Sequence, residues 1–249
     1  MKNPWVIIGI IATLLIGGAI WYSAGASEAY NAGVEVKAHL KGNPEATVKL
    51  VEYSDFQCPA CAQFQPYISE IVEQYGDQLS FEYRHFPLTQ IHRLAEPAAR
   101  AAEAAGQQGK FFEFHDMLFQ NQGEWANSTN PAQFFVKYAT ELGLDMEEFT
   151  RHQRSSLLQS KVREQFNEAR GLGFTGTPSF VLNGEVMKFE TFDEFRNQII
   201  NAIDPSVTLN PTADVQFKTA SGTATTTGTI VAPTEGVPAS TGEEVRFGI

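Results

Sequence analysis

Cysteine is nearly absent from this chain: 249 residues hold two, Cys58 and Cys61, within "DFQCPACAQF". A small fold stapled by several disulfides is thereby excluded. Basic residues are scarce as well, with 18 Lys and Arg against 29 Asp and Glu for a formal charge of −11, and no basic run offsets the deficit. Holding a nucleic-acid backbone calls for clustered Lys and Arg, so that class of partner is set aside. Internal repeats are missing too. What the chain has in quantity is apolar: 43% of residues are hydrophobic and 19 are Phe, ample for the core of one large domain or two small ones.

Charge is missing altogether between Lys2 and Glu28. Inside that gap, Trp5 to Tyr22 reads "WVIIGIIATLLIGGAIWY", 18 mostly apolar residues. As a helix rising ~1.5 Å per residue it nearly matches a ~30 Å hydrocarbon layer, with Trp5, Trp21 and Tyr22 at the two interfaces. Lys2 and the amino terminus precede it, so the positive-inside rule places the rest of the chain outside the cytoplasm. Ala24-Gly25-Ala26 has the form of a signal-peptidase site, so residues 1–26 are expected to be a membrane anchor or a cleaved signal peptide. The apolar run exceeds the ~7–15 residues of a signal h-region, which favours a single-pass anchor. A cleaved chain would instead be secreted or periplasmic, and either way the body is exported.

In an exported protein, cysteines normally pair to close long loops. Linking Cys58 to Cys61 would remove little chain entropy, so a purely structural disulfide is a poor account of the pair. Cys-x-x-Cys is also half of a zinc site, for which His85, His92 and His115 are the candidate remaining ligands. No histidine pair has zinc-finger spacing, and His39 and His152 are scattered, so no metal site is expected. A redox dithiol remains. Val48 to Tyr53 reads as a strand ending at a Ser54-Asp55 turn, and Phe64, Ile68, Ile71, Val72 and Tyr75 follow at helical spacing. Cys58 therefore falls at a strand-to-helix junction, in the helix's first turn, where free N–H groups and the macrodipole favour a thiolate. Cys61, one turn in and less exposed, suits the resolving role.

Three further features accompany this pair. Glu52 lies six residues before Cys58, Pro66 five after Cys61, and "GFTGTPSFVLNG" from Gly173 to Gly184 carries a Thr177-Pro178 step into a strand. Together, "LVEYSDFQCPAC", "YRHFPL" and "GTPSFVLNG" resemble the DsbA-like branch of the thioredoxin superfamily over roughly residues 42–202. The resemblance implies an α/β, thioredoxin-like fold with a large inserted α-helical domain, here preceded by one N-terminal transmembrane helix. It implies a protein thiol-disulfide oxidoreductase that needs no cofactor, with Cys58 attacking and Cys61 resolving. Pro178 would be the cis-proline beside the disulfide, Thr177 would offer backbone hydrogen bonds to a client, and Glu52 would exchange a proton with Cys61. A carboxyl in a strand among apolar neighbours should indeed have a raised pKa, although an outward-facing Glu52 is the alternative. Pro66 is expected only to kink the first helix. Implied partners are client proteins carrying thiols or disulfides and a membrane redox partner, with residues 5–22 in the bilayer. Export into an oxidising space favours oxidation of client dithiols. Reduction or isomerisation is the alternative within the class, and a non-catalytic binding module the alternative outside it.

Between Pro87 and Thr175 the chain reads as helices throughout. "LAEPAARAAEAAGQQG" is Ala-rich, "KFFEFHDMLFQN" is amphipathic, "PAQFFVKYATELG" opens with Pro and closes with Gly, and Asp145 can cap one long helix from Met146 to Gly171. Phe111, Phe112, Phe114, Phe134 and Phe135 fit a core better than a peptide groove. Arg84, His85 and His92 are expected near the sheet edge, where a histidine either tunes the dithiol or serves only the surface. Asn127-Ser128-Thr129 has the glycosylation pattern. A two-residue Asn183-Gly184 turn is expected inside a hairpin running from Ser179 to Phe189, then a Thr191/Glu194 capping box starting a helix to Ala202. The expected organisation is anchor or signal 1–26, linker 27–41, thioredoxin-like domain 42–203 with an insertion at about 90–172, and a Thr/Gly/Pro-rich tail 204–249. The tail is expected to be mostly disordered, with "DVQF", "GTIVA" and "EEVRF" as its candidate short strands.

Overall fold

The structure, a computed structural model, describes residues 4–206. The expectation of a disordered tail falls almost wholly outside the described residues.

The apolar, β-branched run predicted as a strand forms β2 (Val48–Ser54). It pairs in parallel with β3 (Leu79–His85), from Val48 opposite Leu79 to Ser54 opposite His85. A parallel pair needs a crossover, and α2 (Pro59–Tyr75) supplies it, with Pro66 inside it. On the other side of β2 lies β4 (Ser179–Leu182), antiparallel, followed by β5 (Glu185–Val186). Their turn places Asn183 at φ 52° and Gly184 at φ 88°, the positive pair that a type I′ hairpin requires. Asn183 Oδ1 also accepts from Lys49 N at 2.8 Å, tying the turn to β2. The hairpin was expected to run to Phe189, but pairing stops at Val186, leaving a short edge strand. At the opposite edge β1 (His39–Gly42) pairs antiparallel with β3, giving the order β1-β3-β2-β4-β5.

Helix α9 (Phe192–Ile203) closes the sheet face that α2 covers, and Phe64 of α2, Phe180 of β4 and Phe195 of α9 meet there at ring separations of 4.6–5.3 Å. Thr191 caps α9 as expected, its Oγ1 accepting from Glu194 N at 3.2 Å. The Glu194 carboxylate returns to Glu190 N rather than to the Thr191 amide.

Six helices lie between β3 and β4: α3 (Ala95–Gly106), α4 (Phe111–Gln120), α5 (Gln122–Trp125), α6 (Ala132–Glu141), α7 (Met146–His152) and α8 (Ser156–Gly171). The alanines of α3 let neighbours approach closely, and α4, α6, α7 and α8 all pack on it. Phe111, Phe114 and Phe135 are buried, and Phe112 and Phe134 pack against them as core. The single helix expected from Met146 to Gly171 is two. Ser155 starts a second helix by accepting the amides of Leu157 and Leu158, and Asn31 Oδ1 accepts from Ser155 Oγ at 2.8 Å and from Ser156 N at 3.0 Å. The break is thus held from a distant part of the chain.

Asn31 is the last residue of α1 (Pro4–Asn31). Among the described residues, this is the one helix long and apolar enough to cross a membrane. Its large side chains, such as Leu14 and Trp21, are exposed to the surroundings, as a bilayer-facing surface requires. Residues 27–41, read as a linker, hold the end of α1 and the first residues of β1.

One polar cluster lies inside the protein where the helices meet the sheet. Glu103 of α3 takes Lys161 Nζ of α8 at 2.7 Å, His85 Nε2 of β3 at 2.8 Å and His39 Nε2 of β1 at 2.9 Å. Burial works against the Glu103 charge, but the hydrogen bonds from His39 and His85 outweigh it and hold the carboxyl well below the usual range. Burial lowers the pKa of both histidines, which stay neutral.

Candidate active site

The turn after β2 is built by one carboxylate. Asp55 is fully buried, and its Oδ1 accepts from Gln57 N at 2.7 Å, an Asx turn that aims the chain into α2. Its Oδ2 accepts from Leu88 N and from His92 Nδ1, each at 2.8 Å, and its backbone oxygen accepts from Cys58 N at 3.0 Å. The hydrogen bond to Asp55 raises the His92 pKa, with burial opposing it. Gln57 and Gln122 fasten the turn to the inserted helices. Gln57 donates to Ala126 O and accepts from Leu94 N, while Gln122 Nε2 donates to the carbonyls of Phe56 and Cys58.

Cys58 is the N-cap of α2 rather than part of its first turn, with Pro59 opening the helix. Proline tolerates that position because its missing N–H would have had no helical acceptor. Both thiols are free and buried. Cys58 has its pKa lowered, first by a hydrogen bond from Cys61, with burial opposing, then by Thr177 and the Cys61 amide. Burial pushes the Cys61 thiol well up, and the neighbouring Cys58 and Glu52 charges add to that. Asymmetry between the thiols follows: one ionises readily and the other keeps its proton.

Thr177 and Pro178, joined by a cis peptide bond, face this pair from the start of β4. The Cys58 thiol donates to Thr177 O at 3.4 Å, a contact that favours the protonated form. The Thr177 hydroxyl favours the opposite form; it is buried with no hydrogen-bond partner of full geometry among the described residues. The balance of the contacts at Cys58 is toward the thiolate, its pKa being lowered overall. Beside Pro178 a groove of about 350 Å³ runs between Phe64, Phe174, Met187 and Phe189. A larger hollow, near Lys49, Tyr53 and Arg84, lies on the opposite face of the sheet from Glu52 and Cys61.

Glu52 is 3% exposed and points inward, beneath Cys61. Burial raises its pKa from 4.5 to about 7, the Ser54 hydroxyl pulling it back and the Cys58 charge adding to the rise. The sequence-predicted set Glu52, Cys58, Cys61, Thr177 and Pro178 is therefore gathered in one place. Of the residues expected at the sheet edge, His92 reaches the site through Asp55. His85 is buried in the Glu103 cluster, and Arg84 lies on the far face with Glu82 and Tyr53. Sequence reasoning missed the structural work of Asp55 and Gln57, although an Asp two residues before an amide at a strand end is a readable Asx signal. It missed Tyr83, the partner of Glu52 on the neighbouring strand β3, and no local pattern marks that residue.

A dithiol at a helix N-cap, a cis-proline facing it from the adjoining strand and a buried acid behind it define a thioredoxin-like fold with a dithiol site. The helices inserted between β3 and β4 give it the layout of a DsbA-like fold. A model of the family described as Thioredoxin matches residues 35–201, well over half of the chain, and the chain belongs to that family. A solved thioredoxin-like oxidoreductase from Silicibacter pomeroyi DSS-3 is 27% identical with a TM-score of 0.58, over 73% of this chain and 98% of that one. Oxidised BdbD from Bacillus subtilis shares the fold at 21% identity and TM-score 0.57, over 66% of this chain and 91% of its own. So does α-DsbA1 from Wolbachia pipientis, at 22% and 0.57, over 70% and 94%. Among curated proteins, one named Na(+)/H(+) antiporter NhaA 1 from Salinispora arenicola (strain CNS-205) is 40% identical over 59% of this chain and 22% of its own length. A protein of the same name from Mycobacterium sp. (strain KMS) is 38% identical over 59% and 24%. This chain spans less than a quarter of the length of those relatives.

Proposed function

We propose that this chain is a membrane-anchored, extracytoplasmic protein thiol-disulfide oxidoreductase whose Cys58–Cys61 disulfide oxidises client dithiols. The observation that carries the reading is the opposed ionisation of two adjacent thiols, Cys58 lowered at a helix N-cap and Cys61 raised by burial over Glu52. A client thiolate attacks Cys58 Sγ, the Cys58–Cys61 bond breaks, and Cys61 leaves as a thiolate that takes its proton from Glu52. The client's second thiolate then attacks its own sulfur in the mixed disulfide and expels Cys58, whose stabilised thiolate makes it a good leaving group. Two electrons pass to the dithiol, and a membrane-bound disulfide carrier takes them away. Thr177 and Pro178 border the groove in which the client backbone lies. Residues 5–22 of α1 hold the domain at the outer membrane–water interface. The likeness to relatives named as antiporters supports placing this domain at a membrane; their ion transport is not carried over.

The test has two arms. Cys61→Ala should accumulate client mixed disulfides on non-reducing gels and Cys58→Ala should trap none; the reverse pattern overturns the assignment of roles. For direction, the reduced chain should melt above the oxidised chain at pH 7, because an oxidant is a disulfide whose reduced form is the more stable. A more stable oxidised form makes the protein a reductase.

A further inference from the structure

The proposed role asks Glu52 to gain and lose a proton in a place nearly closed to solvent. α9 packs on the strand that carries it, and Cys61, Tyr83, Phe195 and Ile199 share one buried core. Two hydroxyls share the enclosure. Ser54, two residues along β2, points to the same sheet face as Glu52. Tyr83 is the residue opposite Glu52 in the β2–β3 pairing. Both side chains are buried, and neither hydroxyl meets the full geometry of a hydrogen bond with another group among the described residues. Buried hydroxyls in folded proteins nearly always have partners, so two unpaired ones beside an ionisable carboxyl call for an explanation. Ser54 lies close enough to Glu52, Cys61 and Tyr83 to draw the ionisation of each downward, the mark of a donor facing all three.

We infer that Ser54 and Tyr83 are positioning residues for the proton transfer at Cys61: the Ser54 hydroxyl turns toward whichever of Glu52 and Cys61 is charged, and Tyr83 donates to Ser54 Oγ to orient it. The inference rests on the proposed roles of Cys61 and Glu52. It goes beyond them in giving the buried pair a third partner that stays with the charge as the proton moves. Loose hydroxyls suit this task, since a donor fixed in one hydrogen bond serves only one state. The step is simplest with glutathione as the leaving group. Cys61 gives its proton to the Glu52 carboxylate, its sulfur attacks Cys58 Sγ, the Cys58–Cys61 bond forms, and glutathione departs as a thiolate. The other titratable groups facing the enclosure are Cys58 at the N-cap of α2, Asp55 in the turn, His85 of β3 and His115 of α4. The two histidine rings lie 5.3 and 4.9 Å from that of Tyr83. β4 contributes Phe180. Substituting Ser54 leaves all of these in place.

The experiment uses the full chain in detergent with glutathione disulfide-linked to Cys58, and follows glutathione release from pH 5 to 9. Without Ser54, Glu52 and Cys61 both ionise less readily. Ser54→Ala should therefore move the midpoint of the pH profile upward by about 0.5–1 unit and slow release at pH 7 by roughly 3–10-fold. Tyr83→Phe, which keeps the ring, should move it the same way by less. Ser54→Thr, which restores a hydroxyl, should return the wild-type midpoint. In a Glu52→Gln background, Ser54→Ala should cost clearly less than it does alone. The alkylation rate of Cys58 in reduced Ser54→Ala, Ser54→Thr and Tyr83→Phe should stay within about 2-fold of wild type, which a general loosening of the fold would not allow. Should Ser54→Ala fail to fold, Tyr83→Phe and Ser54→Thr carry the comparison. Wild-type midpoints in both Ser54→Ala and Tyr83→Phe, with Glu52→Gln slowing release as expected, overturn the inference alone. Release that does not depend on Cys61 or Glu52 overturns the underlying roles instead.

Discussion

Replacing Glu52 with Gln should make the protein more stable and less active, in a pH range that the structure sets. The ordinary glutamate value of 4.5 and the folded value of about 7 differ by about 2.5 pH units. At about 1.36 kcal/mol per unit, burying the charged carboxylate costs about 3.4 kcal/mol once the group is fully ionised, and about 3 kcal/mol at pH 7. The sign follows from the direction of the change. A carboxyl whose folded pKa is raised favours folding below its unfolded value, and that contribution is lost as pH rises through the folded value. Gln imitates the protonated carboxyl at every pH. Glu52→Gln should therefore lie slightly below the wild type near pH 4, by the cost of an imperfect amide hydrogen bond, and gain on it up to pH 8, where about 2–3 kcal/mol remains after that cost is subtracted. In a domain of this size that is roughly 4–12 °C in melting temperature. Urea denaturation of the reduced proteins at intervals between pH 4 and 8 reads the difference directly. Over the same range the resolving step should slow, while alkylation of Cys58 hardly changes. A stability difference that does not vary with pH, or a Gln variant less stable than wild type at pH 8, would refute the reasoning, because Glu52 would then not be a buried group that ionises near neutrality.

Two other outcomes follow from charges placed by the fold. The Cys58 thiolate, followed by its ultraviolet absorbance, should titrate with a midpoint near its lowered value of about 6, and Cys58→Ser should abolish that phase; a midpoint above pH 8 contradicts the N-cap geometry. Glu103→Gln leaves Lys161 buried without its counter-ion and should cost about 3–5 kcal/mol at pH 7. The depressed carboxyl contributes fully above its unfolded value and loses that contribution as pH falls toward its folded one, so the gap between variant and wild type should begin to narrow below about pH 4.5 and go on narrowing well into acid in chemical denaturation.

The placement of the dithiol was legible in the sequence because its signals are local. The Cys58–Cys61 spacing, the strand run from Val48 and the apolar periodicity after Cys61 fix a dithiol at a strand-to-helix junction over about twenty residues. Backbone geometry at that range depends little on the rest of the fold. The same holds for Asn183-Gly184, whose positive φ values are a property of those two residues, and for the uncharged run that forms most of α1. Placing Thr177-Pro178 beside the thiols needed a family resemblance, since nothing in the spacing alone brings position 177 to position 58. What the tertiary structure decided are the contacts made across long loops. It decided that the helix from Met146 breaks before Ser156, because Asn31 arrives from 124 residues away to hold the new helix start. It turned His85 into a neutral member of a buried cluster and attached His92 to the active-site turn through Asp55. It set Tyr83 opposite Glu52 through strand pairing, a register that depends on which faces are buried. A residue's type sets which charge it is able to carry, but only burial and its neighbours decide whether it carries that charge at neutral pH, and both are supplied by the folded chain.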